Sequence, residues 1–377
     1  MSKSPSEQIA LTVRAADNMT EVFLADSRFE LIANGIGRTE ATVAPGLYKA
    51  RFRVGQVQTD SLIEVETGGA SKIFDGTAVQ FASPVPMPQT LTYRQAQAEA
   101  AQQLSRVINL KQGTGSQLFL FLRGLTAEAS RPWVGVSLHD LSGKQFAEAG
   151  QGTCDTANCF CGLNIELDPG TYRLRVEEEP GEIYEMFIVT LAGWQTQVFA
   201  LAETSWQPGV QAVRAALPDA AVLMAEIDKG FDPANPAVRQ TELLRLGLMH
   251  GRKILTEIGL KNLLAGTLNP MNAVFIAHLL ARREDEVLQA LAVDLVGHID
   301  SSLAAHPDLR AALLVPQFVT SNETPPIFTA PPMLNSSWQL ITQAVDKEKA
   351  VIPSGSLNEQ IKAGVLNTAL WLLHRLP

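Results

Sequence analysis

The stretch Pro45-Gly46-Leu47-Tyr48-Lys49-Ala50-Arg51-Phe52-Arg53-Val54 decides the fold of the first part of the chain. Its Pro-Gly pair marks a turn, and apolar and polar residues then alternate, which is the pattern of a half-buried β-strand. The basic residues of the stretch are expected to face water, and the side chains predicted to face a core are Tyr48, Ala50, Phe52 and Val54.

The same pattern returns in Pro169-Gly170-Thr171-Tyr172-Arg173-Leu174-Arg175-Val176. Short strand-like runs separated by turn residues surround both copies. Repetition of a whole β module is the simplest explanation of two such matches in similar surroundings. The sequence therefore predicts two related modules, residues 1–88 and residues 113–205.

The remaining segments show helical spacing. Ala96, Ala100 and Leu104 predict a connecting helix within residues 89–112, and dense apolar residues predict a helical domain at 206–315. Asn269-Pro270 is a helix start, with Asn as N-cap and Pro in the first turn. Residues 316–355 are predicted to be a Pro-rich connector, and residues 356–377 a helix that docks on the helical domain through Ile361, Val365 and Trp371.

A family resemblance supports the β modules. The Pro-Gly-x-Tyr turn, the basic–apolar strand after it and the later run Thr190-Leu191-Ala192-Gly193 resemble PEGA and carboxypeptidase-regulatory-like modules. Such modules are small, non-catalytic β-sandwiches used for spacing and contact, and the resemblance covers residues 1–205. The predicted fold class is multidomain α+β, with two antiparallel β-sandwich modules followed by an all-α helical domain.

A second resemblance covers residues 225–377. The phrases that carry it are Asn269-Pro270-Met271, Ala277-His278-Leu279-Leu280, His306-Pro307-Asp308, Pro331-Pro332-Met333-Leu334, Val351-Ile352-Pro353-Ser354 and Trp371-Leu372. Together they resemble the C-terminal part of uncharacterised bacterial proteins encoded beside caspase-like proteases and related defence or signalling genes. The stretch Asn272 to Phe275 departs from that pattern, which usually has smaller residues there. The resemblance implies no biochemical activity for any residue.

The net charge of the chain limits the kinds of partner that it is expected to bind. Thirty basic and 39 acidic residues give a net charge of -9, which disfavours nucleic acid and anionic membrane as main partners. The first residues lack the apolar run of a secretory signal, and no apolar stretch is long enough to span a bilayer. We therefore expect a cytoplasmic protein.

Cys154, Cys159 and Cys161 are the only cysteines, and they invite a metal site. A structural zinc site needs four ligands, and these three leave the fourth unassigned, since His139 lies fifteen residues before Cys154. Burial as small apolar side chains or as loop thiols is the interpretation we favour, with zinc as the alternative. An odd, sparse cysteine count is typical of a reducing cytosol without a disulfide framework.

The sequence contains no recognisable catalytic motif. Gly35-Ile36-Gly37 has Glu40 where a dinucleotide fingerprint needs its third glycine, and no Gln-Ala-Cys-x-Gly protease phrase occurs. His278 lies within an apolar helical stretch, where a hydrogen-bonded structural histidine is the usual outcome. We therefore expect no cofactor and no enzymatic activity.

The favoured function is a non-enzymatic interaction protein: an adaptor, scaffold or regulated target in a bacterial defence or signalling system. Its partner would be a protein, in the specific form a caspase-like protease or a regulator of one. The chain could also be a substrate of that protease. The residues expected to contact that partner are Thr324, Pro325, Pro326, Pro331 and Pro332, because paired prolines favour extended chain. The alternative is an enzyme of unrecognised type that uses His278, Glu257 or Asp294 in the helical half.

Overall fold

The structure is a computed structural model, and it describes residues 8–179, 182–207, 210–283, 295–299, 301–315, 324–366 and 370–376. The fold is mixed α+β, with several β-sheets. The chain forms two compact units. Unit 1 comprises Met1–Ala82, Gln89–Leu91 and Leu243–Gly266, and unit 2 comprises Ser83–Pro88, Thr92–Glu242 and Thr267–Pro377.

Unit 1 begins with a run of strands joined by short turns. In chain order they are β1 (Ile9–Arg14), β2 (Glu21–Ala25), β3 (Leu31–Ile36), β4 (Arg38–Val43), β5 (Gly46–Val54), β6 (Val57–Val65) and β7 (Ser71–Asp75). One sheet has the order β4-β1-β7 and the other the order β3-β2-β5-β6. The predicted core residues of β5 are buried, and the ring of Phe52 lies 6.5 Å from that of Phe74 in the other sheet.

Unit 2 contains the remaining long strands and the helix that precedes them. These elements are α1 (Gln95–Leu104), β8 (Leu110–Lys111), β9 (Ser116–Arg123), β10 (Val136–His139), β11 (Gln145–Glu148), β12 (Thr153–Asp155), β13 (Phe160–Leu167), β14 (Gly170–Glu179), β15 (Glu182–Thr190), β16 (Trp194–Gln207), β17 (Val210–Ala215) and β18 (Ala221–Glu226). Helix α1 packs beside β13, where a Cβ on Gly162 would lie 3.2 Å from the Leu104 Cβ. Strand β9 is buried along its whole length, which explains its nearly continuous apolar sequence.

The strand order of unit 1 recurs in unit 2. Strand β1 lies between antiparallel β4 and parallel β7, and β9 lies in the same way between antiparallel β13 and parallel β16. The second sheets run β3-β2-β5-β6 and β11-β10-β14-β15, with antiparallel neighbours throughout. Each of the seven strands in residues 9–75 therefore has a counterpart in the same order within residues 116–207, where β12 is an addition.

The helical elements follow. They are α2 (Pro236–Met249), α3 (Glu257–Leu264), α4 (Pro270–Ala281), α5 (Ser301–Ala304), α6 (Pro307–Ala312), α7 (Asn335–Asp346) and α8 (Leu357–Ile361). The predicted helix start at Asn269-Pro270 is confirmed, since the Asn269 side chain accepts from the backbone N–H of Met271 at 3.0 Å. No helix among the described residues has both the length and the apolar character needed to span a membrane.

The predicted all-helical range 206–315 needs correction. Strand β16 continues to Gln207, and β17 and β18 follow before α2 begins at Pro236. The physical reason is that β16 is long enough to pair with both strands, through residues 202–207 with β17 and residues 194–199 with β18. The predicted connector 316–355 likewise contains α7.

The predicted C-terminal helix is also wrong. Helix α8 ends at Ile361, and the chain continues as β19 (Val365–Leu366) and β20 (Leu373–Arg375), with β20 paired to β15. The open edge of β15 offers backbone hydrogen bonds that compete with helix formation. The expected burial still occurs at two of the three positions, because Ile361 and Trp371 are fully buried, and the Trp371 Nε1 donates to the Ala220 carbonyl at 2.7 Å.

Candidate functional site

An open face of the second sheet of unit 1 is the strongest candidate surface. Alternation along β5 places Lys49, Arg51 and Arg53 on the side opposite the core. Strand register sets Lys49 beside Leu62 of β6, and Arg51 beside Phe23 of β2. The face therefore combines cations with large apolar side chains.

The apolar side chains of this face lie in solvent. Phe29 is 73% exposed, Leu31 is 58% exposed and Leu62 is 67% exposed. A monomeric protein tolerates single exposed apolar residues, but a contiguous group of them marks an interaction site. We call Phe23, Phe29, Leu31, Lys49, Arg51, Arg53 and Leu62 the aromatic–basic face, and all of these side chains except Leu62 line a hollow of about 300 Å³.

Phe29 occupies an unusual backbone conformation. It lies in the turn between β2 and β3 with φ of +63°, in the left-handed region that glycine and asparagine adopt most easily. The turn is held by Asp26, whose carboxylate accepts from the backbone N–H of Arg28 at 2.8 Å and of Glu30 at 2.9 Å. An exposed phenylalanine in a strained position indicates a role in contact rather than in folding.

Ion pairs fix the cations of the face. Asp60 accepts from Arg51 through Nε at 2.8 Å and Nη2 at 3.0 Å, and it also pairs with Lys49 at 2.6 Å. The hydrogen bonds from Arg51 lower the pKa of Asp60 to about 2. Glu21 holds Arg53 in the same bidentate way, with both distances 2.7 Å. Fixed guanidinium groups lose less freedom when they bind an anion.

Strand β3 forms one edge of this sheet. Its sequence, Leu31-Ile32-Ala33-Asn34-Gly35-Ile36, has no charge and no proline. In the described part of the chain, β3 pairs with β2 only. Natural edge strands are usually protected by charges, prolines or covering elements, so this edge is open to an added strand. The opposite edge, β6, carries Asp60 and Glu64, and Lys72 donates to the Glu64 carbonyl.

In unit 2, the C-terminal segment of the chain covers the equivalent sheet face. The pair Arg173 and Phe187 on β14 and β15 corresponds in register to Lys49 and Leu62. Phe187 is fully buried in a cluster with Trp338, Ile361 and Leu372. The surface that the C-terminal segment fills in unit 2 is therefore exposed in unit 1.

Glu185 of unit 2 is buried, whereas Asp60, its counterpart in unit 1, lies on the open face. Arg175 donates to Glu185 at 2.7 Å, in the position that the Arg51–Asp60 pair holds in unit 1. Glu185 is completely buried, and His374 of β20 contacts its other oxygen at 3.2 Å. Its pKa is lowered: burial raises it, and the hydrogen bonds from His374 and Arg175 more than offset that effect. In unit 2 the pair thus anchors the C-terminal strand.

The predicted interaction segment is only partly exposed. Thr324 and Pro325 are exposed and Pro326 is half-buried, but Pro331 and Pro332 are buried. The Asn358 side chain donates to the carbonyls of Phe328 and Ala330, which ties the segment to α8. Residues 316–323 of the predicted connector lie outside the described part of the chain.

The cysteines do not remain three free thiols. Cys154 and Cys161 face each other across β12 and β13 and form a disulfide, while Cys159 is a buried free thiol. The expectation of a chain without disulfides is therefore corrected. Two of the proposed zinc ligands are used by this bond, and no group of three potential metal ligands occurs within the described ranges.

His278 belongs to a buried polar network. Ser337 donates to Asp308 Oδ1 at 2.6 Å, and its oxygen lies 2.9 Å from His278 Nε2. Ser336 lies 3.0 Å from His278 Nδ1. Because Ser337 gives its proton to Asp308, His278 donates to the serine instead of activating it. The expected hydrogen-bonded structural histidine is thus what the geometry provides.

His306 completes this network. Its Nδ1 accepts from the backbone N–H of Asp308 at 3.2 Å at the start of α6. Burial lowers the pKa of His278 to about 4 and that of His306 to about 3, so both are neutral at pH 7. Of the other two enzyme candidates, Glu257 pairs with Lys261 on α3 at 2.7 Å, and Asp294 lies outside the described residues.

A cleft of about 660 Å³ lies in unit 2 between β18 and the starts of α2 and α4. Trp194 lines it, but several of its polar groups serve local structure. Asn269 caps α4 and donates to the Met224 carbonyl at 2.7 Å, and Asp232 accepts from the backbone N–H of Ala234 at 3.0 Å. We therefore rank this cleft below the aromatic–basic face.

Sequence patterns predicted part of this face. The outward basic residues of β5 were expected from alternation, whereas Phe29 and the edge strand were not singled out. A signal was present: Leu31 to Ile36 is a six-residue strand without charge or proline beside a turn that has Phe29 in place of glycine or asparagine.

No protein-family model matches the chain, and no curated protein matches it either.

Proposed function

We propose that the chain is a non-enzymatic protein-interaction component that docks a partner protein on the aromatic–basic face of unit 1. The observation that carries this proposal is the contrast between Leu62 and Phe187. The two hold equivalent positions, yet Leu62 is exposed and Phe187 is covered by the chain's own C-terminal segment. An apolar sheet face that is filled in one repeat and open in the other is suited to an external partner.

The residues best suited to chemistry support the same reading. His278, Asp308 and Ser337 bond to one another in the core, and each is at most 1% exposed. Substrate could reach them only after the surrounding helices separate. An enzyme with its site in the helical half is therefore the weaker alternative.

We propose that the two sheets in each repeat pack face to face as a β-sandwich, as the Phe52–Phe74 ring contact favours in unit 1. In the specific form of the proposal, the chain is an adaptor, scaffold or regulated target in a bacterial defence or signalling system, and its partner is a caspase-like protease or a regulator of one. The cytoplasmic location stays a prediction from sequence.

Affinity purification from the native host tests the docking surface. The full-length chain is compared with a Leu31→Ser/Leu62→Ser variant by quantitative mass spectrometry. Both side chains are largely exposed, so we expect the fold to persist and the bound partner to be lost. The matched control is Ile258→Ser on α3, because Ile258 is 74% exposed in the same unit but lies outside the face. Equal recovery of every protein with all three baits would contradict the proposal.

A further inference from the structure

The aromatic–basic face has unused hydrogen-bond donors. Arg51 and Arg53 each bind their carboxylate through Nε and Nη2. Within the described residues, the Nη1 group of each arginine donates to no protein acceptor. The two bidentate pairs hold the guanidinium planes in place, so these donors are positioned before any ligand arrives.

Aromatic rings lie against the same cations. The Arg53 guanidinium lies 4.7 Å from the centre of the Phe23 ring, and the Lys49 ammonium lies 5.4 Å from that of Phe29. Both distances are in the range of cation–π contacts. A ligand at this hollow would therefore meet positive charge and apolar ring surface side by side.

The lining of the hollow has a one-sided charge. Its described residues are three cations, the apolar residues Phe23, Ala25, Phe29 and Leu31, and the neutral Gln58. Asp60 and Glu21 bind the cations from positions outside this lining. Because these two carboxylates offset two of the three positive charges, the hollow with its flanking carboxylates keeps a net charge of +1, on a chain whose net charge is -9.

Leu31 connects the hollow to an edge of the sheet. It lines the hollow and is also the first residue of β3. An extended segment that lies along β3 can therefore bond to free backbone groups while its side chains reach the hollow.

We propose that the hollow recognises an acidic side chain flanked by an aromatic or aliphatic residue in an extended segment of the partner protein, with the main chain of that segment along β3. This inference rests on the proposed function and specifies the chemistry of its partner. The carboxylate binds the Nη1 groups of Arg51 and Arg53, and the apolar neighbour packs on Phe29 and Leu31.

Selection from a displayed library of random 12-residue peptides tests the proposal, with the full-length chain as bait. We expect enrichment of peptides that place Asp or Glu next to an aromatic or aliphatic residue. Arg51→Gln/Arg53→Gln should weaken the binding of those peptides by about tenfold or more, because the charged hydrogen bonds are lost. Phe29→Asn should also weaken the binding of those peptides. This variant should keep the fold, because asparagine suits the left-handed backbone at this position.

Two further baits separate this inference from the proposed function. Ile32→Lys/Asn34→Lys adds charge to the exposed edge β3, and Thr59→Lys adds charge to the opposite edge β6 as the control. Loss of binding in the β3 variant, with no change in the Arg51→Gln/Arg53→Gln and Phe29→Asn variants, would overturn the acidic hollow and leave the docking face intact. Enrichment of peptides that bind all variants equally, or no enrichment over an empty bait, would overturn both.

Discussion

Leu62 and Phe187 hold the same position in two sheets of the same topology, but Leu62 is 67% exposed and Phe187 is completely buried. The difference arises because Trp338, Ile361 and Leu372 cover Phe187. The repeat thus supplies an internal comparison: one copy shows how this face is filled, and the other leaves it open.

Tyr48 and Tyr172 provide the first prediction. Each donates its hydroxyl to the carbonyl four residues earlier, Tyr48 to Ala44 at 2.6 Å and Tyr172 to Asp168 at 2.8 Å. We predict that Tyr48→Phe and Tyr172→Phe each lower the free energy of unfolding by about 1 kcal/mol, since each removes one hydrogen bond to a backbone carbonyl. Urea unfolding measures the change. Tyr93→Phe is the control and should change little, because its hydroxyl makes no bond to the described residues; equal losses for all three would contradict the prediction.

Acid should weaken the histidine network. The folded pKa of His278 is about 4, below its usual value of 6.5, and that of His306 is about 3. The unfolded chain therefore binds more protons below pH 6.5, and stability falls as the pH drops. For His278 the loss by pH 4 is on the order of 3 kcal/mol. Burial raises the pKa of Asp308, which acts in the opposite direction, so the contribution of His278 is measured by comparison with a variant of that residue.

Chemical unfolding between pH 7 and pH 4.5 measures this dependence. His278→Gln keeps a donor and an acceptor but cannot take up a proton in this range. We predict a shallower loss of stability with falling pH for that variant than for the natural chain. Identical slopes would show that His278 does not contribute.

Arg123 is completely buried, and it donates to four acceptors. Its bonds reach Pro84 O at 2.6 Å, Thr92 O at 2.7 Å, Gln97 Oε1 at 2.9 Å and Ser83 O at 2.7 Å. Arg123→Met removes all four of these hydrogen bonds from the interior, and we predict a loss of about 3 kcal/mol or more in unfolding free energy. Arg94→Met, at an exposed position, should change stability by less than about 0.5 kcal/mol. An unchanged free energy of unfolding for Arg123→Met would contradict the prediction.

The cysteines should differ in reactivity. Alkylation of the unreduced, denatured chain is predicted to label Cys159 alone, because Cys154 and Cys161 are joined. Reduction before alkylation should label all three. Mass spectrometry counts the labels. Three labels without reduction, in protein purified under non-reducing conditions, would contradict the disulfide.

Local patterns were enough to predict the repeat but not the path of the C-terminal segment. Strand alternation after Pro45 and Pro169 depends on neighbouring residues, so it is visible in the sequence. Ile361 and Val365 fit the spacing of a helix as well as that of a strand. The chain after Ile361 forms strands because the edge of β15 is open for pairing, and that edge exists only in the folded chain. The same limit applies to Arg123, whose acceptors at Ser83, Pro84 and Thr92 are distant in sequence.

For the candidate site, the sequence predicted the outward cations but not the open face. Alternation along β5 placed Lys49, Arg51 and Arg53 in water. Whether a sheet face is covered depends on distant segments, as Phe187 and Trp338 show. The burial of the predicted contact residues Pro331 and Pro332 also comes from tertiary packing, which local sequence does not show.

Hydrogen–deuterium exchange on the full-length chain, alone and in the complex purified from the host, tests the central claim most directly. Backbone amides that join an added strand exchange slowly, so we predict slower exchange in residues 29–36 when the partner is bound. The amides of residues 223–241, beside the cleft of unit 2, should exchange at the same rate in both samples. Slowing confined to residues 223–241, with residues 29–36 unchanged, would contradict docking on the aromatic–basic face.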